Sequence, residues 1–344
     1  MKNIQQINKD TPTVGFAFSG ASSRSIFYIG FLEVLSENNF PIDFISAMSG
    51  GAVVAASYAC GSLPALKKMA LSMDKELVFN LIERSGGRGG LYHLKKVEAT
   101  LRMFSKNSKF EDVTPRLAFV ATDIKNGREV HLQMGDIARA VCASCTLPGV
   151  FQPMEWGNMQ LVDGGIINIV PGNVVREANI DLVIGVDMRA TRHVFSPWQI
   201  ALKKFVDAIK FILWPKPINE LWNKLASLLD YDTSMQFNQP LPNIYTVLDK
   251  SIDLAINAQK SQTDPTFGCD LVISPDISHM PFWKKYLFLH FTDFSNTQQY
   301  YRSGRTTAEQ YLPQLWQLLA EKEIELHERA KKLETIKELN KQNA

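Results

Sequence analysis

Two polar residues in glycine settings carry most of the chemistry legible in this sequence. Ser49 stands in Ala47-Met48-Ser49-Gly50-Gly51, after the apolar run Ile42–Ala47 and before the small-residue stretch Ala52–Ala59, which ends at Cys60-Gly61. The patterning predicts a strand, a sharp turn and a helix closed by a glycine cap. A serine on such a turn lifts its Oγ off the strand end. Gly50 and Gly51 would open the helix, where unpaired N–H groups and the helix dipole favour negative charge. Acyl transfer needs this pairing of a nucleophile with an oxyanion site. The pentapeptide differs from the Gly-x-Ser-x-Gly nucleophile elbow in having Ala47 for the first glycine. Taken alone it also fits an ordinary glycine-containing turn.

The second residue is Asp163, which follows the strand-like Met159–Val162 and precedes Gly164-Gly165. A carboxylate thus ends a strand at a tight turn, although Asp-Gly is also a hairpin signal. A third stretch, Ser19-Gly20-Ala21-Ser22-Ser23-Arg24-Ser25, joins a predicted strand, Thr13–Phe18, to a helix from about Ile26 to Ser36 with apolar spacing at Ile26, Ile29, Leu32 and Leu35. Its backbone amides would face outward at a helix N-terminus. It is neither a dinucleotide fingerprint nor a P-loop, because Gly-x-Gly-x-x-Gly is absent and no Gly-Lys-Ser/Thr follows.

Positioning these three loops requires strands that end beside one another. Leu117–Thr122 and Glu129–Gln133 read as strands around a Lys125-Asn126-Gly127 turn, Ile137–Ala143 as a helix, and Asp181–Asp187 and Leu271–Ser274 as core strands. The alternation predicts an α/β fold with a mainly parallel central sheet covered on both faces.

Composition narrows the function classes. The 344 residues are 45% hydrophobic and 21% charged, enough for a large core. Lys+Arg number 37 against Asp+Glu 35, a net charge of +2, so no global field favours nucleic acid. The polar start MKNIQQINKDTP lacks the apolar core of a secretory signal, and no apolar run is long enough to span a bilayer. A cytoplasmic protein, free or peripherally attached to a membrane, is expected. Cys60, Cys142, Cys145 and Cys269 sit among small or apolar residues and read as reduced core thiols. Cys142-x-x-Cys145 has no second pair to complete a metal site, and no metal or cofactor is expected.

Three ordered motifs are more specific than one, and together they resemble the patatin-like phospholipase family. Gly20–Ser25 is similar to the family's glycine-rich oxyanion loop with its basic residue, Ala47–Gly51 to its nucleophile elbow, and Asp163–Gly165 to its Asp-Gly-Gly. The flanking ASCTLPGVFQP, NIVP and IGFLEVL segments also resemble the family. The likeness covers Thr13–Met188 and, more thinly, Asp270 to about Gly304. It implies a three-layer α/β/α fold and a Ser-Asp dyad without histidine: Ser49 attacks an acyl ester and Asp163 takes its proton. It further implies an oxyanion hole from Gly20, Ala21, Ser22 and Gly50, loop support from Arg24, Gly51, Gly164 and Gly165, and a phospholipid or other acyl-ester lipid as substrate. A triad through His131 is the alternative use of the same serine.

Ala21, Ser22, Ser25 and Ala47 stand where the family has glycine. A position needing φ > 0 would then carry a strain of about 1 to 2 kcal/mol at Ala21 or Ser22. The same residues also fit an acyltransferase, a soluble carboxylesterase or an inactive lipid-binding relative. Arg24 has three readings: loop support, contact with a lipid phosphate, or a surface salt bridge.

The expected organisation is a polar tail over residues 1–12, a catalytic domain over 13–310 with a helical insertion at about 193–235, and a charged C-terminal helix over 311–344. Within the insertion, Trp198, Trp214 and Trp222 lie near Lys203, Lys204 and Lys210 along amphipathic helices broken at Pro215 and Pro217. They mark a lid or a membrane-docking face, or alternatively a helical cap packed on the core. Met280–Phe291 has similar aromatic and basic character. In the last segment Leu312, Leu319, Leu326 and Leu333 recur every seven residues, but without a second apolar position a solvated helix is expected over a coiled coil.

Overall fold

The computed structural model describes residues 11–85, 90–188, 267–275 and 294–342. All belong to the unit formed by residues 1–190 and 248–344. The 193–235 insertion with Trp198, Trp214 and Trp222, the Met280–Phe291 stretch and the tail through Asp10 lie outside the described residues.

Strands with both faces buried dictate the architecture. The first are β1 (Val14–Phe18) and β2 (Phe44–Ala47), followed by short β3 (Glu83–Arg84) and β4 (Gly90–His93). Then come β5 (Arg116–Asp123), β6 (Arg128–Leu132), β7 (Gly149–Phe151), β8 (Met154–Trp156) and β9 (Met159–Asp163). The last are β10 (Leu182–Val186) and β11 (Leu271–Ile273). Along β1, Phe16 and Phe18 enter one core and Ala17 the other; along β5, Leu117, Phe119 and Ala121 oppose Ala118 and Val120 in the same way. Side chains alternate across a strand, so a strand apolar at every position must be covered on both faces.

The main sheet runs β11-β10-β1-β2-β5-β9-β8, with β6 also paired to β5. From β11 to β5 the neighbours are parallel, while β6, β8 and β9 pair antiparallel. Strands β3, β4 and β7 form a separate small sheet. Phe18 is in register with both Ala47 and Val186, so the loops after β1, β2 and β10 leave the sheet side by side. That carboxyl edge is where open parallel sheets bind ligands. Asp163 joins it through its pairing with Ala121 of β5.

One face is covered by α1 (Phe27–Glu37) and α2 (Gly50–Ala59), with α3 (Leu63–Leu71), α4 (Lys75–Leu81), α5 (Lys95–Ser105) and α6 (Ile137–Ser144) following in the chain. The other face carries α7 (Gly172–Glu177), whose Val174 and Val175 pack with Ala17 and Phe44. Two expectations are refined. The β1 loop enters α1 through a 3-10 turn, Ser22–Ile26, and Asp163 leads into another, Gly164–Ile166, rather than into a hairpin.

The C-terminal helix α8 runs from Thr297 to Gln342, 46 residues. From Ala320 to Lys332 its residues are exposed or half-buried as the charge pattern predicts, but in its first half Tyr300, Ala308, Leu315 and Leu319 join the core over α1. The backbones approach closely at two glycines. A Cβ on Gly304 would collide with the Phe27 carbonyl, and one on Gly30 with the Tyr301 carbonyl. Around the crossing, Arg305 pairs with Glu37 at 2.7 Å, and Lys67 and Tyr301 both bond Glu33.

Gly304→Ala must therefore push the helices apart. It should cost about 1 to 3 kcal/mol or more in urea unfolding. Gly127→Ala, at φ +62 with nothing within 4 Å, should cost only about 1 kcal/mol from the backbone.

Candidate active site

Ser49 is the residue before α2 and holds φ 51, ψ −130. Left-handed backbone at a non-glycine residue costs on the order of 1 to 3 kcal/mol and needs surrounding contacts to maintain it. Those contacts are present. The Ser49 amide donates to Ser144 Oγ at 2.9 Å, and that hydroxyl donates to the Val120 carbonyl at 2.7 Å. Gly51 N and Ala52 N turn back onto the Met48 carbonyl. Ser144 takes up the Ser49 amide, and Gly51, Ala52 and Val53 donate to the Met48 and Ser49 carbonyls, while the Gly50 amide has no backbone acceptor among the described residues.

Missing side chains make the convergence of loops possible. A Cβ on Gly20 would lie 2.9 Å from the Ser49 Cβ and collide with the Met48 methyl, while one on Gly165 would meet that methyl at 2.6 Å. Buried Met48 thus fills the space between the β1 loop and the Asp-Gly-Gly turn. Gly51 comes equally close to the Ser19 carbonyl, 2.8 Å from an added Cβ, and Gly164 backs onto the Val120 carbonyl. Gly50 lies against Ser25, whose buried Oγ has no hydrogen-bond partner among the described residues.

Asp163 is 5% exposed. Its amide donates to the Thr146 carbonyl at 2.8 Å, and Thr122 Oγ1 donates to its carbonyl at 3.0 Å, which fixes the backbone. Oδ1 accepts from Gly165 N at 2.9 Å, and the carboxylate is near enough to the Ser49 hydroxyl for that group to lower its pKa. Burial pushes its pKa up to about 6, against the opposing pull of those two groups. Cys145, half-buried at the end of α6, lies near Ser49; burial and the nearby Asp163 charge push its thiol pKa up.

In the β1 loop the strained position is Ser22, at φ 52; Ala21 has φ −153. The Ala21 carbonyl accepts from Arg24 N at 3.0 Å and from Arg24 Nε at 3.4 Å. In a trans peptide the N–H of Ser22 must then point to the opposite side. This geometry gives Arg24 its loop-supporting contact. At the loop's start, Tyr28 donates to the Ser19 carbonyl at 2.8 Å, and Ser19 Oγ accepts from Met188 N at 2.8 Å. His131 engages Glu129 at 2.8 Å and Glu177 at 3.5 Å, with no bond to Ser49 or Asp163 among the described contacts.

Sequence reasoning brings together Ser49, Asp163, Gly20, Gly50, Gly51, Gly164 and Gly165, but passes over Ser144, Met48 and Cys145. Ser144 and Cys145 lie within the ASCTLPGVFQP segment, whose value as a signal is only positional. The arrangement pairs a hydroxyl with a buried carboxylate at a helix start, suited to removing the serine proton as the oxygen attacks.

Comparison with known proteins bears on this geometry. The patatin-like phospholipase profile matches residues 16–174. An uncharacterized NTE family protein of Mycobacterium tuberculosis is 29% identical over 181 residues, 53% of this chain and 50% of that one. A second mycobacterial NTE family protein is 26% identical over 271 residues, covering 77% of this chain and 42% of its own length. The chain spans about half the length of these relatives. Triacylglycerol lipase 5 of Saccharomyces cerevisiae is 26% identical over 240 residues, 56% of this chain and 32% of that protein. VipD of Legionella pneumophila, at 13% identity and TM-score 0.49, covers 88% of this chain and 67% of its own.

Two outcomes follow from the geometry. Ser22→Gly should leave stability unchanged or raise it by up to about 1 kcal/mol, whereas Ala21→Gly, with no positive φ to relieve, should lower it by about 0.5 to 1 kcal/mol. For Asp163 the folded-state pKa lies above the unfolded value. Its contribution is therefore full at low pH and is lost, by up to about 3 kcal/mol, as pH rises from about 4 through about 6. Asp163→Asn should gain on the native protein between those pH values when both are unfolded in urea.

Residues 16–174, which carry the Ser49 turn, the Gly20–Ser25 loop and Asp163-Gly164-Gly165 in family order, are similar to the patatin-like phospholipase family.

Proposed function

We propose that the chain is a lipid acyl hydrolase working through a Ser49–Asp163 dyad and an acyl-enzyme. The observation that carries the proposal is the convergence of the Ser49 turn, held at a left-handed φ, with the buried Asp163 carboxylate, which is near enough to the serine hydroxyl for that group to lower its pKa. As Ser49 Oγ attacks the ester carbonyl, its proton passes to Asp163, which returns one to the departing alcohol. Water then adds to the acyl-enzyme, again losing its proton to Asp163, and the carboxylic acid leaves as Ser49 is restored. The developing oxyanion lies near the Gly50 amide and the Gly20–Ser22 loop, where fixed backbone donors need no reorganisation. Ser22 takes a left-handed φ without glycine, so the loop's turn survives the substitutions in it.

Acyl-ester lipids are the proposed substrate class. The reading is supported by the family match and by relatives bearing the names triacylglycerol lipase and lysophospholipase. Among the described residues no helix is long and apolar enough to cross a membrane. Docking through Trp198, Trp214 and Trp222 belongs to the proposal as its membrane-facing part.

A fluorophosphonate probe should label Ser49 in the native protein and nothing in Ser49→Ala. Asp163→Asn should reduce ester hydrolysis by at least about 1,000-fold while the protein stays folded. For the native protein kcat/KM should fall tenfold per pH unit below about 6, as Asp163 takes up a proton. Native-like hydrolysis by either variant would remove the dyad, and an acid limb that vanishes on mutating His131 would favour a triad.

A further inference from the structure

We infer that Glu129 is a positioning residue for the turn that carries Asp163, acting through Asn168; the inference rests on the dyad reading above. Two consecutive glycines follow Asp163, and Gly165 supplies the amide that bonds its Oδ1. A double-glycine turn has little stiffness of its own and must be held from outside. Its front end is held by the Asp163 backbone bonds to Thr146 and Thr122. Its back end reaches Asn168, whose backbone N donates to the Gly164 carbonyl at 2.9 Å.

The Asn168 side chain ties that end to two other elements. Nδ2 donates to Glu129 Oε1 on β6 at 2.8 Å and to Asn173 Oδ1 on α7 at 2.7 Å. Glu129 and His131, two apart on β6, share a face, and His131 Nε2 bonds the same Glu129 oxygen at 2.8 Å. Glu177 of α7 completes the charged surroundings, 3.5 Å from His131 Nδ1. Burial pushes the Glu129 carboxyl up, but its bonds from His131 and Asn168 outweigh this and hold it below its ordinary range. The carboxylate is thus a standing acceptor for Asn168. It exposes 24% of its side chain and has no direct bond to Asp163, so its effect on the dyad passes through the turn.

The test compares Asn168→Ala, Asn168→Asp, Glu129→Ala and Glu129→Gln with the native protein and Ser49→Ala on a soluble short-chain ester, with thermal unfolding alongside. Asn168→Ala and Glu129→Ala should each lower kcat about 10-fold with KM within about twofold, because misplacing a catalytic group costs the chemical step rather than binding. Asn168→Asp, nearly the same shape but repelled by Glu129, should lose as much while remaining folded. Glu129→Gln keeps an amide oxygen for Asn168 and should stay within about twofold of native. The Glu129→Ala/Asn168→Ala pair should lose no more than Asn168→Ala alone. Native kcat in the Asn168 variants, equal losses in Glu129→Ala and Glu129→Gln, or losses that multiply in the pair would each overturn the inference while leaving the dyad standing. Absence of Ser49-dependent hydrolysis in the native protein would instead remove the dyad, and this inference with it.

Discussion

Everything at the carboxyl edge of this sheet depends on how closely three backbones approach Ser49. Gly20, Gly50 and Gly165 each lie where a single added carbon would strike a neighbouring residue, and one methionine side chain fills the remaining gap. Close packing makes the site a property of the interior as much as of the surface. The same crowding accounts for the tolerance of Ser49's backbone. With its amide held by Ser144 and its neighbours folded back onto the Met48 carbonyl, the left-handed conformation has no roomy alternative nearby.

Two destabilising features are concentrated there: a strained serine and a carboxylate taken out of water. The surrounding fold offsets them with fully apolar strands, buried from both sides. The carboxylate's burial is also what raises its proton affinity, so the cost in stability and the proton-accepting role proposed for it have one origin. Ser25 adds a smaller penalty, a buried hydroxyl without a partner among the described residues.

Much of this was readable in the sequence, for physical reasons. Strands β1, β2, β5 and β10 are apolar at successive positions, a pattern that only a doubly covered sheet accommodates, and the loops at Ser49 and Asp163 announce themselves by glycine pairs. The strain at Ser22 rather than Ala21 was not readable, because φ depends on how the whole loop closes. Ser144 and Met48 act through contacts 95 residues apart or across a gap between loops, and neither leaves a local signature. Nor did composition reveal that the C-terminal helix begins at Thr297. The helix is interrupted by buried Gly304 and exposed Pro313, which read locally as breaks and serve here as a close crossing and a tolerated interruption.

That crossing bears on the order in which the protein can be completed during synthesis. The helix from Thr297 packs on α1 and also on the Ser22–Ile26 turn that follows the Gly20 loop. A nascent chain that already carries all of residues 16–174 still lacks the helix that packs on α1. The earliest loop of the site is thus braced by residues that leave the ribosome well after it. Until they arrive, the exposed aromatic face of α1 is a natural substrate for holding chaperones.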